Sequence, residues 1–149
     1  MRAITLSGFG LGLALGLPVL ALAASMTTVP DERALREECS AFSQAGMRDC
    51  LAEKAKESQK ALRQAEEKVT GSLTKWDEDD KYIKQAKAKL AASNKKFAEY
   101  RDAQCGFSAS LSGGGAGNSH EIGRLACVAE LNNRRAEQLH NAMSDLPLK

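Results

Sequence analysis

Four cysteines and two histidines are the residues of this 149-residue chain best suited to chemistry. Cys105, His120 and Cys127 lie in one segment and could in principle ligate a soft metal through two thiolates and an imidazole. In an oxidising compartment Cys39, Cys50, Cys105 and Cys127 would form two disulfides instead, and an even cysteine count favours that reading. The sequence has no Cys-x-x-Cys for thioredoxin-type redox work and no Cys-x-x-Cys-His for covalent haem. His120 and His140 have no nucleophile or carboxylate at a spacing that makes a catalytic set. The run "SGGGAGNSH" lacks the Gly-Lys-Ser/Thr ending of a phosphate-binding loop. The acidic "DEDD", Asp77 to Asp80, lacks the spaced ligands and central glycine of a calcium loop. The expectation is therefore no catalytic residue, no metal and no cofactor, with the cysteines as structural cross-links.

The compartment is read from the N-terminus. "MRAITLSGFGLGLALGLPVLALAAS" carries Arg2 as its one charge, an apolar stretch from Ile4 to Leu22, and Ala21, Leu22 and Ala23 in the small-x-small pattern that precedes signal-peptidase cleavage. Residues 1–23 are read as a secretory signal peptide and residues 24–149 as a single domain. No cysteine follows the cleavage point to carry a lipid, and no later segment is apolar for long enough to span a bilayer. A periplasmic or secreted protein without a membrane anchor follows. Removing Arg2 leaves 20 Lys plus Arg against 19 Asp plus Glu, so the formal charge falls from +2 to about +1. This balance gives no support to a nucleic-acid binder.

Positioning the cysteines requires helices. Leu51, Ala55, Ser58, Leu62, Ala65 and Val69 recur at spacings of three and four, as do Ala86, Leu90, Ser93, Phe97, Tyr100 and Gln104. Ile122, Leu125, Ala129, Asn132, Ala136, Leu139 and Met143 form the third such stripe. Gly71 is expected to stop the first long helix, and the second should begin near Asp77, where acids suit a helix N-terminus. Asn118 or Ser119, with Glu121 close behind, is expected to cap the third. A short helix from about Asp31 to Phe42 should precede them, with Gly46 marking the turn. No window alternates with period two. The fold class is thus all-α, a small disulfide-stapled helical bundle or hairpin with a short N-terminal helix and three longer ones.

Two disulfides allow three pairings. If Cys39 meets Cys50, the leading helix folds back across the start of the long one, and Cys105 meets Cys127 across the Gly-rich loop. This pairing is preferred, and the other two, which would tie distant helices together, remain open.

The segments "LAASNKKFAEYRDAQCGF", "SGGGAGNS" and "LACVAELNNRRAEQL" resemble the second half of the LprI-like lysozyme-inhibitor domain. That family shows a Leu-x-x-x-Gln-x-x-Trp-x-x-x-Arg-Asp-x-x-Cys helix, a Gly-Gly-Ser loop and a Cys-x-x-x-Leu-Thr-x-x-Arg helix. Arg101, Asp102 and Cys105 match, as do Cys127, Leu131 and Arg135, and Cys39 and Cys50 stand where the family carries its earlier pair. Asn94 replaces the usual Gln, Phe97 the usual Trp and Asn132 the usual Thr, and the family's Leu-Asn-x-x-Tyr reads "LRQAE" at Leu62 to Glu66.

The resemblance implies a non-enzymatic inhibitor of lysozyme or another cell-wall hydrolase that blocks the cleft. Two regions are candidates for partner binding: Tyr100 and Arg101 at a helix end, and Asn118, Ser119 and His120 at the loop tip. The plainer reading of the same motif is structural: Tyr100 sits on the core stripe, Arg101 or Asp102 forms an ion pair with Arg135 or Glu137 on the next helix, and the loop is a spacer. A periplasmic helical interaction or envelope-stress protein with another protein partner is the alternative function.

Overall fold

The structure, a computed structural model, describes residues 29–115 and 117–149. The signal-peptide reading of residues 1–23 lies outside the described residues. Four helices follow in order: α1 (Glu32–Glu38), α2 (Gln44–Thr74), α3 (Asp80–Ser110) and α4 (Ser119–Asn141). Among the described residues there is no strand, and one isolated bridge joins Trp76 to Leu148. The all-α expectation of one short and three long helices holds.

Local chemistry explains the starts. Asp31 caps α1, its side chain accepting from the Ala34 amide at 2.8 Å. Ser43 caps α2 in the same way, accepting from the Gly46 amide at 3.3 Å. Gly46 therefore lies inside the first turn of α2 and does not mark the turn before it. Its lack of a side chain has a different cause, since a Cβ there would come 2.9 Å from Phe42 Cβ.

Gly71 also departs from expectation. The helix runs through it to Thr74, because the buried stripe continues across it from Val69 to Leu73. A stripe that still buries leucine outweighs the modest helix cost of one glycine. Nothing lies within 4 Å of a Cβ built at Gly71, so Gly71→Ala is expected to add about 0.5–1 kcal/mol of stability, seen as a higher urea midpoint at unchanged slope. The second long helix begins at Asp80, three residues later than expected, with Asp79 as its cap residue. It also runs past Gly106 to Ser110, so the reversal is confined to the segment before Ser119.

Helix α4 is the axis of the fold. It packs along α2 and α3 and receives α1, whereas α2 and α3 meet each other sparsely. Cross-helix pairs fix the directions. Cys105 meets Cys127, Arg101 meets Asn132 and Asn94 meets Arg135, so α3 runs antiparallel to α4. Ser58 meets Asn132, and a Cβ at Gly117 would lie 3.3 Å from Gln44 Oε1, so α2 runs parallel to α4. The burial pattern follows: the 23 residues of α4 include eight buried ones, while the 31 of α3 include Cys105 alone.

The core has two parts. Leu35, Cys39, Leu51, Ala55, Ile122, Leu125, Ala126 and Ala129 form one cluster, and Leu62, Val69, Leu73 and Leu139 form the other. The first is bound by both cross-links, Cys39–Cys50 and Cys105–Cys127, at the end of the bundle where α2 and α4 begin and α3 finishes. The preferred pairing is the one formed. The second cluster has no cross-link. There the C-terminal tail folds over the α2–α3 turn: the Asp77 amide donates to Pro147 O and the Lys149 amide to Lys75 O.

Candidate partner-binding surface

Between the two apolar clusters the stripes turn polar. Asn132 is fully buried and Ser58 nearly so. Asn132 Nδ2 donates to Ser58 Oγ at 3.1 Å, and Ser58 Oγ donates to Ala55 O at 2.7 Å. Asn132 Oδ1 accepts from Arg101 Nη1 at 3.1 Å, and the same nitrogen donates to Gln59 Oε1 at 2.8 Å. One guanidinium thus links all three long helices. Satisfying a buried amide in this way is what makes it tolerable in a core.

Arg101 also pairs with Asp102, its sequence neighbour, at 2.8 Å, and its side chain is 16% exposed. The expected cross-helix pairing of this motif with Arg135 or Glu137 is not formed. Arg135 Nη2 instead donates to Ser93 Oγ at 2.8 Å and Asn94 Oδ1 at 3.2 Å, with its guanidinium 5.7 Å from the Phe97 ring centre. Its Nε is buried without a hydrogen-bond partner. The reason lies in geometry: Asp102 is one helical step from the α4-facing line of α3 and points to solvent.

Glu66 completes this layer from α2. Burial pushes its carboxyl above the usual range, and the nearby positive charges of Arg135 and Arg101 only partly offset that. It lines an open cleft between α2 and α3 together with Arg63, Glu67, Thr70, Lys87, Leu90, Ala91 and Asn94. The layer was visible in sequence as polar residues at stripe positions, Ser58, Ser93 and Asn132, and as the motif positions Asn94, Arg101 and Arg135. Gln59 gave no signal.

The loop forms a separate region. Gly113 (φ 55°) and Gly117 (φ 72°) adopt the left-handed conformation that lets the chain reverse. His120 Nε2 lies 3.0 Å from Gly113 O across the reversal. Asn118 is the cap residue of α4 but makes no side-chain capping bond, and Ser119 is the first helical residue. Glu121, in the first turn, accepts from Arg124 at 2.6 and 2.8 Å, and this bonding holds its carboxyl below the usual range. With Cys105 and Cys127 consumed in a disulfide, the metal set with His120 has no thiolates to offer.

The structure does not bring the two candidate regions together. Asn132, which marks the level of Arg101, lies twelve residues along α4 from His120, or about 18 Å. Tyr100 is 54% exposed and is not a core residue as its stripe position suggested. The exposed apolar side chains nearer the loop are Phe107 and Leu111 on the end of α3 and Phe42 beside the start of α2, at 58%, 71% and 57% exposure. They were not singled out in sequence, because an exposed ring and a core ring share the same spacing.

Residues 36–139 match the family model described as lysozyme inhibitor LprI, a span from within α1 to within α4 that contains both disulfides. The chain belongs to the LprI lysozyme-inhibitor family. No curated protein and no solved structure matches the chain. The LprI match brings the stapled end, the polar layer and the loop into one family unit, and disulfides of this kind suit an oxidising compartment.

Proposed function

We propose that this LprI-family chain is an exported, non-enzymatic binding protein that inhibits lysozyme or another cell-wall hydrolase by occupying its cleft. The observation that carries this reading is the family match across both disulfides. A polysaccharide hydrolase of this class works with two carboxylates in a groove, and any rigid protrusion seated there stops it without chemistry. The stapled end is suited to that task. Its loop of Ser112 to Asn118 is anchored at both ends by helices joined through Cys105 and Cys127, and Phe42, Phe107 and Leu111 surround it with exposed apolar surface. Cross-linking the base of a loop reduces the ordering cost of binding.

The acidic run contributes little to seating the loop. The run Asp77 to Asp80 is exposed at the opposite end of α3, whose 31 residues span about 46 Å. That exceeds the Debye length at physiological salt several-fold, so these acids are screened from an enzyme seated at the loop and do not steer it there. The test is lysis of cell-wall suspensions by several lysozyme types with the oxidised protein added. Sub-micromolar inhibition is expected, with at least a tenfold loss when Asn118 and His120 are replaced by Gly and Ser. Full activity of every lysozyme at high protein would overturn the proposal and favour a helical module with another protein partner.

A further inference from the structure

The near-neutral total charge conceals one strongly asymmetric face. From Lys81 to Ala98 helix α3 carries six lysines and no acid. Lys81, Lys84, Lys89, Lys95 and Lys96 are exposed. Lys96 pairs with Glu99 at 2.7 Å, and Lys87 donates to Thr74 of α2. The other four have no carboxylate within ion-pair distance among the described residues; Lys81 lies 5.7 Å from the Tyr82 ring centre.

Aromatic and apolar side chains run along one edge of this exposed surface in line with Lys89 and Lys96, while Lys81, Lys84 and Lys95 stand about 100–160° further round the helix. Tyr82, Lys89, Lys96, Tyr100, Phe107 and Leu111 are separated by seven, seven, four, seven and four positions, which places them on one line along the helix. Tyr82 is 47% exposed, and Tyr100, Phe107 and Leu111 more so. The line is about 44 Å long. It is available because α3 is the outermost helix, turning only its inner side to α4. Between Lys84 and Lys95 the other exposed positions besides Lys89 are Gln85, Ala88, Ala91, Ala92 and Ser93, none of them charged.

We propose that this face of α3 binds the headgroup surface of an anionic phospholipid bilayer. Lysines on flexible stems complement phosphate-bearing headgroups, and each adds to attraction within a Debye length of the surface. A soluble polyanion would use the lysines but gain little from exposed Phe107 and Leu111. A bilayer interface uses both, since tyrosine rings settle at headgroup level and the apolar end enters the acyl boundary. No described helix is long and apolar enough to cross a membrane, which suits surface association. The acids Asp77 to Asp80 precede the lysine row, so the Phe107 end makes the closer approach.

Cosedimentation of the oxidised protein with phosphatidylglycerol–phosphatidylcholine vesicles tests this, with pure phosphatidylcholine vesicles as reference. Binding to the anionic vesicles is expected at low salt, at least tenfold weaker in 0.5 M NaCl and at least tenfold weaker for a variant with Lys81, Lys84, Lys89, Lys95 and Lys96 all changed to Gln. That variant should keep its helical circular dichroism and its inhibition of lysozyme, so failure here and failure of the inhibitor reading are separable. Phe107→Ser should weaken vesicle binding with the charges intact. Absence of binding to anionic vesicles, equal binding by the five-Gln variant, or lysine-dependent capture of soluble polyphosphate without vesicle binding would each overturn the proposal.

Discussion

Replacing Cys105 and Cys127 together by alanine is expected to lower the melting temperature by roughly 10–15 °C. The bridge closes a loop between residues 22 positions apart, and in the chain-entropy model a loop of that size contributes about 3 kcal/mol. For a domain of this length each kcal/mol moves the midpoint by about 3–6 °C. Both sulfurs are buried, at 1% residue exposure, and alanine leaves no polar group behind in their place. The bridge also holds the glycine loop against the end of α3, so inhibition should fall more steeply than stability at temperatures where the variant is still folded. Differential scanning calorimetry and lysis assays on the same preparation would check this. A midpoint within 3 °C of the parent protein would show that the packing of α3 on α4 holds without the bridge.

Asn132→Ala is expected to cost about 2–4 kcal/mol, a large effect for a neutral polar side chain. The amide serves Ser58, Gln59 and Arg101 at once, and alanine has neither donor nor acceptor to replace it. Ser58 Oγ keeps its bond to Ala55 O, but a partly buried guanidinium loses an acceptor. Asn132→Thr, the residue usual at this position in the family that the chain resembles, retains one hydroxyl and should cost less than half as much. Urea unfolding of both variants would check the order. If alanine proves as stable as the parent protein, Arg101 and Gln59 bind each other well enough without the amide.

How much of this was legible in the sequence differs from element to element. The three long stripes gave helix number and order, because burial on one face requires the spacing. Helix ends were less legible. Gly71 is an ordinary stop signal overridden by packing on either side, and "DEDD" acts as a turn and cap before α3 begins. The cysteine pairing was a preference in the sequence, with two alternatives open, and the packed helices decide it. The plainer reading of the Arg101–Asp102 motif is cross-helix ion pairing, but a one-residue offset is about 100° around a helix, which sends Asp102 outward to pair with its neighbour Arg101 while Arg101 Nη1 reaches across to neutral amides. Such networks depend on the relative depth of two helices, and no single-chain periodicity carries that. The lysine face of α3 was present in the letters but averaged away in the total charge.

The two ends of the molecule are also distinguishable by light. Its one tryptophan, Trp76, packs against the second cluster beneath the returning tail, whereas both cross-links bind the first. Indole fluorescence therefore reports the end that no covalent bond secures, while circular dichroism averages over the whole. A gap between the two melting curves would measure how far the unsecured end loosens before the stapled one, and coincident curves would show that the polar layer between them transmits unfolding as a single event.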